Sequence, residues 1–292
     1  MNYFREFIWL IKTTFNQWYE HDPFNNSIII AFYTIFSLPG LLVIIINITG
    51  YFYDKKEITS RLTGQIQNMI GGDTARDIEA IIANASKSKE TVVSSILGIA
   101  TLLFGATGVF YELQQMLNRI WNVKPILKTK QKIIQLIRDR LFSFGLILAV
   151  GFVLLVSLML STLLSALSGW VTSHWSESLN MIFNLFDILL SLGIITFLFA
   201  AIFKFLPDVK IRWREVWSGA FLTSILFVLS KFALGLYFGK IHPGSTYGAA
   251  GSIILIMLWV SYTGLILLFG AEFTQVYTAK YGKKVNPSLV AE

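Results

Sequence analysis

Two charged residues stand well inside apolar segments, where a charge needs a structural or functional reason. Asp187 and Lys231 each lie in a segment long enough to cross a bilayer. Burying such a charge in hydrocarbon costs about 2.5–3.5 kcal/mol on insertion scales. At a rise of about 1.5 Å per residue, both lie about 10–12 Å from the same membrane face, which predicts an ion pair between neighbouring helices. The alternative is that Lys231 extends to the interface while Asn184 or a backbone group caps Asp187.

A second set of charges lies where apolar segments end. Glu112 and Glu272 lie at such edges, at about the same depth in the membrane as three basic residues. Arg119 shares a helical face with Glu112. The three basic residues are Lys204, Arg212 and Arg214. We expect a cluster of ion pairs on the cytoplasmic side. A transport or catalytic role is the alternative, because a buried ion pair is weak evidence for stability.

The residue patterns of common enzymes do not occur in this sequence. His21, His174 and His242 are far apart, and there is no cysteine. No zinc-protease, phosphate-loop or serine-hydrolase motif is found. We therefore expect a protein that is not an enzyme, with no catalytic residue, no metal and no cofactor.

Composition indicates the class of protein. Apolar residues make up 54% of the 292 residues and charged residues only 14%, and the mean hydropathy is +0.63. Soluble domains carry about 25% charged residues, so a membrane protein is expected. The net charge of +7 is more typical of basic cytoplasmic loops than of nucleic-acid binding.

Six segments reach the length of about 20 apolar residues that a membrane-spanning helix needs. They lie near residues 27–48, 92–110, 141–167, 179–203, 216–238 and 249–275. Outside the spans, lysine and arginine number 16 on one side of the membrane and seven on the other. Because basic residues concentrate in cytoplasmic loops, both termini are predicted to be cytoplasmic.

The segments outside the spans also show helical patterns. Residues 1–26 carry an apolar stripe, which predicts a helix lying in the inner membrane interface; a cytoplasmic helix packed on the bundle is the alternative. The stripe consists of Phe4, Phe7, Ile8, Ile11, Phe15 and Trp18. The loop 50–91 shows two further stripes and is predicted to form a helical cap outside the membrane. Residues 27–278 then form the transmembrane domain and 279–292 a cytoplasmic tail.

The stretch from Gly105 to Pro125 predicts a helix that leaves the membrane with a polar face. Its apolar stripe falls at Phe110, Leu113, Leu117 and Ile120, and its polar face at Glu112, Gln115 and Arg119. Such a polar face predicts that something packs or binds there, with Glu112 meeting the basic loop around Arg212 and Arg214. Small residues along the second and sixth spans indicate close helix contacts rather than ligand approach. The basic run 124–140 fits a lipid surface better than RNA.

Several ordered blocks carry a resemblance to a known family. They are Ala31-Phe-Tyr-Thr-Ile-Phe-Ser-Leu-Pro39, Gly105 to Pro125, Phe205-Leu-Pro-Asp-Val-Lys-Ile-Arg-Trp213 with Gly219-Ala220, and Tyr247-Gly248 through Trp259 to Gly270-Ala-Glu272. In these blocks the chain resembles the YihY / virulence factor BrkB family of bacterial inner-membrane proteins, some of which bear the legacy label ribonuclease BN. The resemblance covers nearly the whole chain. It implies six spans, an inner-membrane location and a poorly defined activity.

These observations favour an all-α, polytopic membrane protein with six transmembrane helices. The leading functional hypothesis is a transporter or flippase-like protein for a lipid-like or amphipathic envelope molecule. Its expected partners are membrane lipids and such a substrate, with no nucleic acid; its oligomeric state stays open. A structural or scaffolding membrane protein is the first alternative. A membrane-associated ribonuclease is disfavoured, because the cytoplasmic carboxylates are scattered among basic residues rather than clustered for metal binding.

Overall fold

The computed structural model describes residues 2–49, 92–123, 178–241 and 251–282. Within these ranges every regular element is an α-helix and no strand occurs. The helices are α1 (Asn2–Glu20), α2 (Pro23–Thr49), α3 (Val92–Ile120), α4 (Ser178–Phe205), α5 (Trp213–Ile241) and α6 (Gly251–Tyr281). The all-α prediction is confirmed for this part of the chain.

Three helices of the described part are long and apolar enough to cross a membrane. The qualifying segments are Ile188–Phe205, Trp213–Phe238 and Ile253–Tyr281, which overlap the last three predicted spans. The first two predicted spans fall on the helices α2 and α3, and their crossing of a membrane stays a prediction. The predicted span at 141–167 and the loop 50–91 lie outside the described residues.

A sharp turn separates α1 from α2. Asp22 adopts a left-handed backbone conformation with φ of 51°, which ends the first helix, and Pro23 opens the second. Proline suits the first position of a helix because it has no amide hydrogen that would need a partner there. Two asparagine side chains hold the turn: Asn25 donates to Asp22 Oδ2 at 2.8 Å and Asn26 donates to the carbonyl of His21 at 2.7 Å.

The C-terminal end of α3 closes in a Schellman motif. Asn122 has a φ of 53°, and the amides of Asn122 and Val123 donate back to the carbonyls of Arg119 and Asn118 at 3.0 and 2.9 Å. Asparagine tolerates this left-handed position better than most residues. These two bonds satisfy carbonyls at the end of the helix and stop it after Ile120.

The predicted faces of α3 agree with its burial in most positions. Leu113, Leu117 and Ile120 are buried, as the stripe predicts, and Gln115 and Arg119 are exposed. Phe110 and Glu112 are half-buried. Met116 and Trp121 are also buried, so the apolar surface is wider than the stripe alone indicates.

Contacts divide the chain into two compact units. The first unit comprises residues 1–14, 117–226 and 269–292. Within it Leu10 of α1 packs on Phe273 and Val276 of α6, and Leu222 of α5 lies against the same cluster. The first half of α1 is therefore anchored on the C-terminal half of α6.

The second unit comprises residues 15–116 and 227–268. Trp18 Nε1 donates to the carbonyl of Leu265 at 3.2 Å, which joins α1 to α6 here. Gly108 of α3 lies so close to α2 that a Cβ atom would overlap the ring of Tyr33. Small residues at a helix contact let two backbones approach, so the predicted packing role of this glycine is confirmed.

Candidate functional site

Helices α5 and α6 meet through a reciprocal glycine–threonine contact in the first unit. A Cβ atom on Gly219 would lie 2.9 Å from Thr274 Cβ and overlap its Oγ1. Likewise, a Cβ atom on Gly270 would lie 2.9 Å from Thr223 Cβ and overlap its Oγ1. Each helix therefore presents a glycine to the threonine of the other, four residues apart and in antiparallel order. We call these four residues the Gly–Thr contact.

The threonine hydroxyls of this contact have their donors satisfied within their own helices. Thr223 donates to the carbonyl of Gly219 and Thr274 to the carbonyl of Gly270, each at 2.7 Å. A hydroxyl retains acceptor lone pairs after donating, and each faces the Cα of the opposite glycine. This arrangement suits weak Cα–H···O contacts, which recur where two helices pack closely.

Further buried hydroxyls extend the polar surface around the Gly–Thr contact. Thr278 donates to the carbonyl of Thr274 at 2.7 Å. On the other side of α5, Ser224 Oγ lies 2.8 Å from Thr196 Oγ1 of α4, and both side chains are buried. Because a hydroxyl can turn to donate or accept, this pair links α4 and α5 without an orphaned group.

The segment between α4 and α5 is held by the end of α3. Asn118 Nδ2 donates to Asp208 Oδ2, and the Asp208 amide donates to Asn118 Oδ1, both at 2.8 Å. Lys204 donates to the carbonyl of Ile211. Leu206, Val209 and Ile211 are buried beneath, so this short segment is fixed by both polar and apolar contacts.

Glu215 caps α5 and also lies beside the end of α6. Its Oε2 accepts a bond of 3.1 Å from the Arg212 amide, which makes half of a capping box. Its Oε1 lies 2.8 Å from where a Cβ atom on Gly282 would be. Only 7% of the residue is exposed. A larger side chain at position 282 would displace this carboxylate.

Of the two predicted site carboxylates whose side chains the structure describes, Glu272 is more deeply buried than Glu112. It is 1% exposed and lies in the candidate span Ile253–Tyr281. Gln275 follows three residues later on the same face of α6. On α1, Thr14 is fully buried. This polar set, which we call the Glu272 site, comprises Thr14, Glu272 and Gln275.

The other predicted site residues lie in different surroundings. Lys231, Arg119, Arg212 and Arg214 are exposed, and Glu112 and Lys204 are half-buried. Lys204 donates to the backbone carbonyl of Ile211, and its place in a cluster of ion pairs stays a prediction. The side chain of Asp187 lies outside the described residues, so its pairing with Lys231 stays a prediction, as does the pairing of Glu112 with the basic loop.

Sequence reasoning missed Asn118, Asp208, Thr14, Gln275 and the two threonines. For the threonines a signal existed: Gly219-Ala-Phe-Leu-Thr223 and Gly270-Ala-Glu-Phe-Thr274 share one pattern. For Asn118 and Asp208, 90 positions apart, no local pattern indicates the contact. In the described part of the chain, no group of three or more His, Cys, Asp or Glu could hold a metal ion.

Curated relatives are membrane proteins whose names state no activity. The UPF0761 membrane protein of Tolumonas auensis is 30% identical over 200 residues, covering 66% of this chain and 59% of that protein. UPF0761 membrane protein VP0125 of Vibrio parahaemolyticus is 27% identical over 266 residues, covering 87% and 77%. The Delftia acidovorans relative is 26% identical over 212 residues, covering 72% and 47%.

The chain spans about half the length of the first curated relatives it matches, 47% to 59%. No solved structure matches it. The family described as Virulence factor BrkB matches residues 14–290. That range holds the Gly–Thr contact, the pair of Asn118 with Asp208, and the Glu272 site. A match over nearly the whole chain, together with these relatives, shows that this membrane protein belongs to the Virulence factor BrkB family.

Proposed function

We propose that this protein is a multi-pass protein of the bacterial cytoplasmic membrane that moves a lipid-like or amphipathic envelope molecule, without catalysing a covalent reaction. The observation that carries the proposal is Glu272, a carboxyl residue 1% exposed within a candidate membrane span. Ionisable residues at such depth are rare and costly, and they mark substrate or ion pathways in membrane proteins. Gln275 and Thr14 add uncharged polar groups, as a site for an amphipathic headgroup would need.

The exposed surface supports contact with lipid. On α5 the large apolar residues Leu229, Phe232 and Leu236 are 60%, 67% and 65% exposed. Apolar surface on that scale is unusual for a soluble monomer. A lipid-like substrate would approach the protein from the same phase that covers these residues.

The N-terminal helix fits a position in the membrane interface. Leu10 and Thr14 are buried on one side of α1, while Phe4, Phe7 and Phe15 are at least half exposed. The helix therefore carries one face towards α6 and a second apolar face outwards. We infer that this helix packs on the bundle with one face and lies in the membrane interface with the other.

A scaffolding role is the second candidate, and the Gly–Thr contact favours it. Close packing of α5 on α6 with satisfied hydroxyls is what a rigid helix bundle requires. In a scaffold, the Glu272 site would serve only to select the correct packing of the helices during assembly. The two candidates differ in whether the purified protein changes the distribution of lipids.

Transport is tested with the wild-type protein in vesicles. The protein is reconstituted into phosphatidylglycerol–phosphatidylethanolamine vesicles containing a phospholipid with a fluorescent headgroup. Dithionite then bleaches only the label in the outer leaflet. We expect bleaching to continue past half of the label in vesicles with protein and to stop near half in protein-free vesicles. If bleaching stops at the same fraction of label with and without protein, whichever headgroup carries the label, transport of phospholipid-like molecules would be contradicted and scaffolding favoured.

A further inference from the structure

Two side-chain oxygens are buried in the first unit with no hydrogen-bond partner among the described residues. They are Thr14 Oγ1 and Gln275 Oε1. Thr14 is 0% exposed, so bulk water does not reach it. Burying a polar oxygen without a partner is costly. A structure that buries two such oxygens is expected to offer them to a ligand.

The packing of α1 on α6 brings Thr14 to the level of Glu272 and Gln275. Tyr281 donates to Glu6 Oε2 at 2.8 Å, Lys280 lies 4.6 Å from the centre of the Trp9 ring, and Leu10 packs on Val276. Residue numbers thus rise on α1 as they fall on α6. Thr14, one turn beyond Leu10, comes level with Glu272, one turn before Val276. Gln275 shares a face with Glu272 at a spacing of three residues.

We propose that Thr14, Glu272 and Gln275 bind a small monovalent cation, for which sodium is the natural probe. The set offers a hydroxyl, a carboxylate and an amide oxygen, and hard cations prefer oxygen ligands. One carboxylate matches one positive charge. Among the described residues, no group of three or more His, Cys, Asp or Glu could hold a metal ion.

A cation suits these three residues better than a proton or a water molecule. A protonated carboxyl adds a single hydrogen, which is fewer than the lone pairs that Thr14 Oγ1 and Gln275 Oε1 present together. A water molecule donates twice but brings no charge to the carboxylate. A cation accepts lone pairs from all three oxygens and adds a positive charge. Sodium sites in secondary transporters likewise lie within the membrane.

This site goes beyond the proposed transport function and does not require it. Glu272 lies nine residues before Tyr281, the end of the candidate span, which is about 14 Å at the helical rise of 1.5 Å per residue. An ion bound there would fix α1 on α6 in a scaffold and could be coupled to movement of substrate in a transporter. Binding is therefore measured separately from transport.

Thermal unfolding of the purified protein in detergent tests the site. The midpoint is compared in sodium chloride and in choline chloride at equal ionic strength. With sodium about tenfold above its dissociation constant, we expect the wild-type midpoint to rise by about 3 °C. Thr14→Val and Glu272→Gln should lose this rise, and Thr14→Ser should keep it. Retained radioactive sodium after rapid filtration should follow the same order.

Thr278→Val is the matched control, because the Thr278 hydroxyl already donates to the carbonyl of Thr274. It should keep the sodium-dependent rise even if its midpoint falls in both salts. If Glu272→Gln does not fold, the comparison of Thr14→Val with Thr14→Ser decides the matter. The proposal is overturned if wild-type protein unfolds at the same temperature in both salts, or if Thr14→Val keeps the full rise. Sodium binding without lipid movement would leave the cation site standing and remove only transport.

Discussion

Asn118 and Asp208 form a reciprocal polar pair in the first unit. Each residue both donates and accepts, through two bonds of 2.8 Å. The pair joins the last turn of α3 to the segment that leads into α5. Two bonds in a fixed orientation determine position more tightly than a single ion pair would. At the scale of single residues, this contact between an amide and a carboxylate is one that the sequence did not indicate.

Exchanging the chemistry of this pair gives a rescue experiment. Asn118→Asp removes the donor to Asp208 and sets two carboxylates against each other, so we expect a loss of about 2 kcal/mol in stability. Adding Asp208→Asn restores the contact, because the new amide donates to the new carboxylate while the backbone bond stays. The thermal midpoint in detergent should fall in the single variant and recover in the double variant.

Absence of recovery in the double variant would show that Asp208 acts through other contacts. A matched control is Gln115→Glu on the same helix, at an exposed position. This change also adds a carboxylate to α3, three residues after Glu112 and four residues before Arg119 on the same face, where the repulsion and the attraction offset each other. It should leave the midpoint within about 0.5 kcal/mol of wild type, as exposed substitutions usually do.

Sequence reasoning identified Glu272 as a site residue but not its neighbours. A charge in an apolar segment can be recognised from the sequence alone, because the free-energy cost of placing it in the membrane is high in any fold. Thr14 and Gln275 carry no charge, and their relation to Glu272 arises only when α1 packs on α6. Asn118 was passed over for the same reason, although it lies on a helix whose faces were predicted well.

Helices α5 and α6 illustrate what holds at the scale of elements. Their existence follows from long apolar runs, and the structure confirms helices at both predicted positions. Their mutual register depends on the Gly–Thr contact, in which each threonine side chain packs against the glycine of the opposite helix. The sequence showed small residues and predicted close packing, yet it could not show which helix each glycine faces. The repeated Gly-Ala-x-x-Thr pattern, once recognised, predicts that register.

Two glycines of α5 should respond in opposite ways to the same substitution. At Gly219 a Cβ atom would overlap Thr274 Oγ1, whereas at Gly235 nothing lies within 4 Å. Gly219→Ala should therefore destabilise the protein by about 1–3 kcal/mol through overpacking. Gly235→Ala should be neutral or stabilising by up to about 1 kcal/mol, because alanine favours a helix. Midpoints of thermal unfolding in detergent compare the two, and a larger loss at Gly235 would contradict the described packing.

At the scale of the whole molecule, the family and the membrane character are established, whereas the orientation in the membrane is a proposal. Three candidate spans are present in the described residues, and the other three remain predictions from hydropathy. Lysine and arginine counts of 16 against seven predict that both termini are cytoplasmic, by the positive-inside rule. Counts over loops are collective, so they predict orientation without any tertiary detail. They say nothing of which residues meet.

Orientation can be measured directly because the chain has no cysteine. Single cysteines are introduced as Asn2→Cys, Ser86→Cys and Ser288→Cys. A membrane-impermeant maleimide should label the variant at position 86 in intact spheroplasts, since the loop 50–91 is predicted outside. It should label the other two only after the membrane is permeabilised. Labelling of either terminus in intact spheroplasts would reverse or break the proposed topology.

The central claim is that the buried Glu272 serves the movement of a lipid-like molecule rather than packing alone. The most direct measurement is the rate of headgroup-labelled phospholipid movement in dithionite-treated vesicles containing Glu272→Gln. Glu20→Gln, the same change at an exposed position of α1, is the control. We predict a loss of at least tenfold in rate for Glu272→Gln, with Glu20→Gln at the wild-type rate and both proteins folded at the assay temperature. A folded Glu272→Gln protein that moves lipid at the wild-type rate would contradict the account.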